Sequence, residues 1–410
     1  MSEFLELLPP PQALQKLLLE LQPQPTAERV PTAEALGRVT AAPVTAGFAL
    51  PSFPRSTVDG YAVRAKDTYG ASESLPAYLN LVGEVPMGGT PAMVLQAAEC
   101  VIIHTGGMLP EGADAVVMVE YTQEASAAEI EIWRAVGNGE NVLKVGEDVQ
   151  TGQEVIPAGT VLRPAEIGGL MALGIAEVSV TSKPIVGILS SGDEVIEPGR
   201  PLEAGQVYDV NSYTLAGLIE QAGGLPRPYG IIPDNAEAFR AAAHKAHAEC
   251  DMVVFTAGSS VSVRDLTAQT IDELGQPGVL VHGVSIKPGK PTILAVCEGK
   301  AVIGLPGNPV SALVVAGIFV TQTIEALLGL QGQRPRGSVM AKLAVNLSSQ
   351  AGREDWIGVQ LTQGADGYTA EPIFGKSNLI FTLARADGLL RIPPPANGVA
   401  AGEMVEVLLL

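Results

Sequence analysis

Cysteine and long apolar runs are scarce in this 410-residue chain. Cys100, Cys250 and Cys297 are too few and too scattered for a disulfide framework or a zinc site, so we expect a reducing, cytoplasmic location. The most apolar segment, 311–319, has about half the length that a membrane-spanning helix needs. Polar residues follow it directly, and the sequence therefore predicts a buried helix and no membrane partner.

The amino-terminal segment lacks the features of an export signal. It reads MSEFLELLPPPQ, with acids at Glu3 and Glu6 and three prolines at 9–11. A secretion signal needs a basic flank and an uninterrupted apolar stretch. We therefore expect that the protein is not exported.

Basic residues are in the minority. The chain has 25 Lys and Arg against 44 Asp and Glu, which gives a net charge of -19. Long-range repulsion opposes non-specific binding to nucleic acid or to an anionic membrane, so we expect no nucleic-acid partner. Small anions are not excluded, because a few positioned Lys and Arg side chains set the local potential of a pocket.

The chain is long enough for about two to four domains. Segment 183–330 has the alternating strand, loop and helix pattern of a parallel α/β domain, with strands expected at 185–189, 252–256, 291–296 and 301–305. Asn211 or Ser212 is expected to cap one helix, which Gly223 and Gly224 can end, and Asn308 is expected to cap another. Loops 190–194, 257–265 and 305–311 follow strands, and ligands bind at the carboxyl ends of strands in open α/β sheets.

The flanking segments predict mostly β structure. Residues before 183 combine spaced Gly and Pro with a helix at about 165–173, whereas strands at 339–345 and 356–361 indicate a small carboxyl-terminal β domain. The fold class is therefore multidomain, α/β plus β.

Two loops carry groups suited to binding an anion. In IKPGKP, Pro288 and Pro291 restrict the backbone and Gly289 permits a close approach or a positive φ, so Lys287 and Lys290 can point at one anion. When this hexapeptide is taken alone, a solvated turn beside an edge strand is the better explanation.

The second loop, GLPGNPVSA, is typical of a helix start. Pro309 suits the first helical position and Asn308 suits the cap, so the open backbone N–H groups of the first turn would attract an anion. Ser311 could donate one more hydrogen bond, and a purely structural cap remains the alternative.

Two carboxylates follow predicted strands. Glu194 and Asp265 could hold Mg²⁺ against a phosphate, and each could instead be a helix cap or a solvated acid. The sequence has no Walker A loop, no GxGxxG motif and no nucleophile elbow, so phosphate binding would depend on strand-end loops and helix starts.

Seven motifs taken in order resemble the MoeA-type molybdenum insertases, which include the E domain of gephyrin. They are PSFPRSTVDGYAV, TGGMLPEGADAVVMVE, VGEDVQTGQEVIPAG, SSGDEV, VYDVNSYTL, IKPGKP and GLPGNPVSA. The resemblance implies an enzyme that inserts molybdate into adenylylated molybdopterin, releases AMP and yields molybdenum cofactor, with Mg²⁺ as cofactor.

The resemblance also implies site residues. The catalytic set would be Asp59, Thr105, Asp148, Asp234, Asp265, Lys287 and Lys290. The substrate-binding set would be Ser191, Glu194, Arg264, Pro291, Pro306, Pro309, Ser311, Arg353 and Ser377, with Glu194 and Asp265 as metal ligands. Lys287, Lys290, Ser311, Arg353 and Ser377 would surround molybdate.

The family architecture implies four domains in a homodimer with shared active sites. They would be a discontinuous first domain (1–50 and 145–182), an inserted β-rich domain (51–144), the molybdopterin-binding α/β domain (183–330) and a β-barrel-like domain (335–410). A molybdopterin adenylyltransferase is the expected upstream partner.

The chain departs from the family pattern at two places. It has AGSSVSVRD where relatives have GGVSVGxxD, which places Arg264 beside Asp265, and it has Gly283 where a basic residue is common. We expect the Arg264 guanidinium to contact a phosphate oxygen and to replace the missing charge, with a surface ion pair to Asp265 as the alternative.

Two other functions compete with molybdate insertion. A molybdopterin adenylyltransferase would need only the α/β domain, so the additional domains argue against it. A non-catalytic scaffold similar to gephyrin E would not need the Lys, Ser and carboxylate set.

Overall fold

A computed structural model describes residues 7–257, 261–332 and 337–410, with the backbone alone at 257 and 261–265. The helices are α1 (Pro10–Leu21), α2 (Pro164–Ala172), α3 (Asn211–Ala222), α4 (Ala236–Glu249), α5 (Val261–Glu273), α6 (Pro309–Leu327) and α7 (Phe381–Ala384), with 3₁₀ turns at Thr32–Glu34, Ala65–Thr68 and Val119–Tyr121.

The strands, in chain order, are β1 (Ala27–Pro31), β2 (Val44–Thr45), β3 (Arg55–Ser56), β4 (Gly60–Val63), β5 (Ala77–Glu84), β6 (Glu99–Ile103), β7 (Ala115–Met118), β8 (Thr122–Ser126), β9 (Glu129–Ile132), β10 (Val142–Leu143), β11 (Glu154–Ile156), β12 (Glu177–Thr181), β13 (Ile185–Ser191), β14 (Val195–Ile196), β15 (Val207–Tyr208), β16 (Leu225–Ile232), β17 (Met252–Ala257), β18 (Pro277–His282), β19 (Ile286–Lys287), β20 (Ile293–Cys297), β21 (Lys300–Pro306), β22 (Ser338–Leu343), β23 (Leu347–Ser348), β24 (Glu354–Gly364), β25 (Gly367–Pro372), β26 (Gly388–Ile392), β27 (Gly398–Val399) and β28 (Met404–Leu409).

The chain divides into two compact units. One comprises Met1–Ala41, Gly159–Arg163 and Val178–Leu410, and the other comprises Ala42–Ala158 and Pro164–Glu177. The second unit contains the sheet β7-β4-β6-β5-β9-β8 and the short pairs β3-β10 and β2-β11. The four domain boundaries expected from the sequence stay a prediction.

The α/β domain of the first unit is built on a six-stranded sheet with the order β16-β13-β17-β21-β20-β18. The first four strands are parallel, as the sequence predicts, but β20 runs antiparallel to both of its neighbours. Ile293, at the start of β20, therefore lies opposite Gly304, near the end of β21. This reversal brings the IKPGKP loop to the edge where the parallel strands end.

Helices cover both faces of this sheet. Residues of α1, α3 and α6 share one apolar core with the sheet, and residues of α4 lie in the core of the opposite face. Among the described residues, α6 is the helix that has the length and apolarity of a membrane span. Its Ala312, Val315 and Phe319 are fully buried in the core. The helix extends beyond the predicted apolar segment, 311–319, and residues of its second half, such as Val320 and Ile324, also pack in the core.

The start of α3 differs from the prediction. No side chain of Asn211 or Ser212 caps the helix; instead the Ser212 N–H donates to Asp209 Oδ1 at 3.0 Å. The Asn211 amide is engaged elsewhere, since it donates to Thr256 Oγ1 at 2.7 Å and to the Gly307 carbonyl at 2.9 Å. Asn211 therefore links the end of β17 to the loop after β21.

The carboxyl-terminal domain is a closed β-barrel, which confirms the expected barrel-like fold. Strands β24, β25, β22, β28 and β26 pair in that order, and β26 returns to β24. The short strand β19 adds to β24, with Ile286 opposite Glu354 and Lys287 opposite Asp355. This pairing attaches the lysine loop of the α/β domain to the barrel.

Replacement of Arg391 by Ala is expected to destabilise the barrel. Arg391 binds Glu354 through two hydrogen bonds, of 2.7 and 3.0 Å, and the Glu354 side chain is only 3% exposed. The substitution leaves a buried carboxylate without its cation, so we expect a loss of about 3 kcal/mol in the free energy of unfolding, at the low end for a broken buried pair because Arg391 is half exposed.

Urea unfolding of the two proteins measures this loss. Arg385→Ala is the matched control, because Arg385 is exposed and makes no ion pair within the described part of the chain. A loss in Arg391→Ala no larger than the control's would show that solvent, and not Arg391, stabilises the Glu354 carboxylate.

Candidate active site

A cavity of about 1160 Å³ lies between the ends of the α/β strands and the barrel. Seven of the residues expected to bind substrate or act in catalysis line it: Lys287, Lys290, Pro291, Pro306, Ser311, Arg353 and Ser377. Pro309 begins α6 beside the cavity without being one of its lining residues. The tertiary structure therefore brings together segments that are distant in the sequence.

The lysine loop is held firmly in place. The Val284 N–H donates to the Lys290 carbonyl at 3.0 Å, which closes the loop. Gly289 has a φ of +114°, and a Cβ at this position would overlap the Val315 side chain of α6. The glycine thus serves both purposes that the sequence suggests, a positive φ and a close approach of the backbone to a helix.

The start of α6 differs from the prediction in its cap. Asn308 occupies the cap position, but its side chain donates to Ser377 Oγ at 3.0 Å and makes no capping bond. The Val310 N–H donates to the Ser377 carbonyl at 3.0 Å. A loop of the barrel therefore accepts one of the free backbone N–H groups at the start of α6. Ser311, which is 4% exposed, lies in the same helical turn.

The cavity is basic although the chain is strongly acidic. Lys287, Lys290 and Lys376 line it, and none of them forms an ion pair with a carboxylate in the described part of the chain. Lys376 was missed by the sequence reasoning, because an exposed lysine in GKSN carries no local mark of a binding role. Three uncompensated positive charges at one cavity make it suitable for an anion.

Arg353 is positioned by a buried acid. Its Nε donates to Asp355 Oδ1 at 2.8 Å and a terminal nitrogen donates to Oδ2 at 3.3 Å, while the Asp355 side chain is 4% exposed. A two-point contact fixes the plane of the guanidinium and leaves other N–H groups available. Arg353 therefore contributes directed donors more than net positive charge.

A second group of predicted residues lies at the ends of β13 and β16, outside the cavity lining. Ser191 is 5% exposed and its Oγ has no hydrogen-bond partner in the described structure. The Asp234 N–H donates to Asp193 Oδ1 at 3.0 Å, and Glu194 is exposed. Burial, and then the charges of Asp193 and Glu194, raise the pKa of Asp234.

The side chains of Arg264 and Asp265 lie outside the described residues. The expected loop 257–265 is shorter than predicted, because α5 begins at Val261 and its backbone carries both residues. No group of three or more His, Cys, Asp or Glu side chains arranged to hold a metal occurs among the described residues. The metal role of Glu194 with Asp265 therefore stays a prediction.

Three predicted residues belong to the other compact unit, from Ala42–Ala158. Asp59 Oδ1 accepts hydrogen bonds from the Thr105 N–H at 2.7 Å and from Thr105 Oγ1 at 3.2 Å. The backbone hydrogen bond is the largest cause of a lowered pKa of Asp59. Asp148 is exposed, and its N–H donates to the Leu50 carbonyl at 3.0 Å. The structure thus pairs Asp59 with Thr105, and the catalytic roles of all three residues stay predictions.

Three family models match consecutive parts of the chain. They describe the MoeA N-terminal region (domain I and II), at residues 8–174, a probable molybdopterin binding domain, at 187–326, and the MoeA C-terminal region (domain IV), at 340–410. The order of the three matches agrees with the order of the resembling motifs.

Several relatives match over nearly the full length of the chain. The chain is 35% identical to a putative molybdopterin biosynthesis protein of Methanocaldococcus jannaschii, over 97% of this chain and 95% of the relative. It is 34% identical to the molybdopterin molybdenumtransferase of Haemophilus influenzae, over 97% of each chain. The crystal structure of a molybdopterin biosynthesis moeA protein from Pyrococcus horikoshii has a TM-score of 0.86 and 34% identity, with 99% of this chain and 100% of that chain covered.

Proposed function

The chain belongs to the MoeA family, and from this premise we propose that it is a molybdopterin molybdenumtransferase, which inserts molybdate into adenylylated molybdopterin and releases AMP. The observation that carries the proposal is the basic cavity at the ends of the α/β strands, with Lys287 and Lys290 in one fixed loop and Ser311 at a helix start. Such a site suits a small oxyanion in an otherwise acidic protein.

The chemistry requires charge neutralisation at two places. Molybdate is an anion that must be desolvated, and Lys287, Lys290 and the Ser311 hydroxyl can replace part of its hydration shell. Cleavage of the phosphoanhydride adds water across a P–O–P bond and leaves AMP and the molybdopterin phosphate. The two separated phosphates together carry more negative charge than the intact phosphoanhydride, so positioned cations favour the cleavage.

We propose Mg²⁺ as the cofactor, held by Glu194 and Asp265. The acids at the ends of β13 and β16 fit this role, because Asp193 and Glu194 lie close enough to Asp234 to add to the rise in its pKa that burial mainly causes. Carboxylate oxygens are the ligands that Mg²⁺ prefers. A bound Mg²⁺ would neutralise phosphate oxygens of the substrate.

Arg264 is proposed to contact a phosphate oxygen. Gly283 has no side chain, so no charge is available at the position where relatives have a basic residue. Its backbone has a φ of +104°, and its N–H donates to the Thr292 carbonyl at 2.8 Å. An Arg near the start of α5 would restore one positive charge near the substrate. The surface ion pair with Asp265 remains the competing account.

The setting of the enzyme is part of the same proposal. We propose a cytoplasmic homodimer whose subunits complete each other's active sites, and a molybdopterin adenylyltransferase that supplies the adenylylated substrate. The low cysteine content supports a reducing compartment. Neither nucleic acid nor a membrane is a proposed partner, since the net charge of -19 opposes both.

An assay of the purified protein tests the function. Adenylylated molybdopterin, Mg²⁺ and molybdate are expected to give AMP and active cofactor, and a parallel reaction with tungstate tests the choice of oxyanion. An adenylyltransferase would instead release pyrophosphate from ATP and molybdopterin, and a scaffold would release neither product. Absence of AMP release from the adenylylated substrate would contradict the proposal.

A further inference from the structure

Residues 373–378, here called the rim loop, connect β25 to α7 and line the cavity from the side of the barrel. Lys376 lies in this loop and is exposed. Its side chain forms neither an ion pair nor a hydrogen bond with the described part of the protein.

The backbone at Lys376 and directly after it is anchored. The next residue, Ser377, accepts hydrogen bonds from the Asn308 side chain and from the Val310 N–H at the start of α6, both of 3.0 Å. The Lys376 carbonyl accepts the Leu379 N–H at 3.0 Å. Lys376 is therefore held beside the helix start that contains Ser311, while its long side chain stays free to reach an anion.

The distribution of charge makes this position significant. Of the four cationic side chains that line the cavity, Arg353 is largely neutralised by Asp355, so three lysines supply the uncompensated charge. Lys287 and Lys290 come from the α/β domain, whereas Lys376 comes from the barrel. Three like charges around one cavity repel each other, and an anion placed among them would relieve that repulsion.

We propose that Lys376 binds a tetrahedral oxyanion group in the cavity, opposite Lys287 and Lys290. The group would be molybdate or a phosphate of the adenylylated substrate, and these two identities rest on the proposed function. The charge complementarity between the lysines and an anion does not depend on it. An anion held in this way is contacted by both domains at once. Its binding therefore also stabilises their association, because a ligand stabilises the state that binds it.

Equilibrium binding of molybdate and of AMP, measured separately at low ionic strength, tests the proposal. Lys376→Gln is expected to weaken binding about fivefold, which corresponds to about 1 kcal/mol, the upper value for one exposed charge pair. Lys376→Arg should keep most of the affinity. The loss should shrink as salt is added, because salt screens exposed charges.

Lys342→Gln is the matched control, since Lys342 is an exposed lysine of β22 outside the cavity and its loss changes the net charge equally. Weaker molybdate binding in Lys376→Gln shows that Lys376 binds molybdate. Weaker AMP binding alone shows that it binds a phosphate of the adenylylated substrate. Unchanged binding of both anions overturns the proposal, as does an equal loss in Lys342→Gln or a wild-type protein that binds neither anion. A wild-type protein that binds an anion through Lys376 but releases no AMP from the adenylylated substrate would contradict the proposed function alone.

Discussion

Replacement of either Lys287 or Lys290 by Ala is expected to lower the rate of AMP release by about 100-fold to 1,000-fold, the usual effect of removing one preorganised charge-stabilising donor. Both lysines line the cavity. The loop that carries them is fixed by the pairing of β19 with β24 and by the close packing of Gly289 against the Val315 side chain. A fixed donor loses little entropy when it binds charge that develops during the reaction. Single-turnover assays with saturating molybdate measure the effect.

Two further variants make this result specific. Lys287→Arg should recover part of the activity, because the charge is kept while the geometry changes. Lys342→Ala removes a charge from an exposed strand position of the barrel and should leave the rate unchanged. Wild-type rates in both folded loop variants, Lys287→Ala and Lys290→Ala, would show that the cavity does not bind the reacting anion.

Replacement of Asp265 by Asn is expected to lower AMP release by about 1,000-fold while the adenylylated substrate still binds. A divalent cation held by a carboxylate contributes several kcal/mol of charge stabilisation, and each 1.36 kcal/mol corresponds to a tenfold change in rate. The amide keeps the size of the side chain but loses its charge, so binding of Mg²⁺ should weaken in parallel. Binding of Mg²⁺ by calorimetry and quenched-flow analysis of AMP measure the two effects independently.

Asp366→Asn is the control for this substitution. Asp366 is exposed in the turn between β24 and β25, far along the chain from the proposed metal ligands. Its replacement removes the same charge and should change neither Mg²⁺ binding nor the rate. If Asp265→Asn remains folded and releases AMP at the wild-type rate, Asp265 is neither a metal ligand nor a water-positioning residue.

Prediction of the elements from the sequence succeeded where the determining interactions are local. The strands expected at 185–189 and 252–256 are present as β13 and β17, and Gly223 ends α3 with a φ of +97°. Apolar runs, glycines and prolines act on their own backbone or on neighbouring residues, so their effects can be recognised without knowledge of the fold. The same is true of Gly289 in the lysine loop.

The caps show where local reasoning fails. Asn308 is a good helix cap by type, yet its amide bonds Ser377, which lies 69 residues away in the sequence. Asn211 is likewise drawn to Thr256 and Gly307. A polar side chain forms its best available hydrogen bond, and a partner from another element can be better than the nearby helix end.

By itself, the sequence determined the α/β and β elements, the excess of acid, the two loops that carry the lysines and Ser311, and the resemblance that indicates the function. Only the tertiary structure decided that β20 reverses direction, that the barrel closes through β24 and β26, and that Lys376 joins Lys287 and Lys290 at one cavity. The physical reason is that strand order, strand direction and the neighbours of an exposed lysine depend on contacts between distant segments. Those contacts form because whole apolar faces are buried together, and no local pattern in the sequence specifies their pairing.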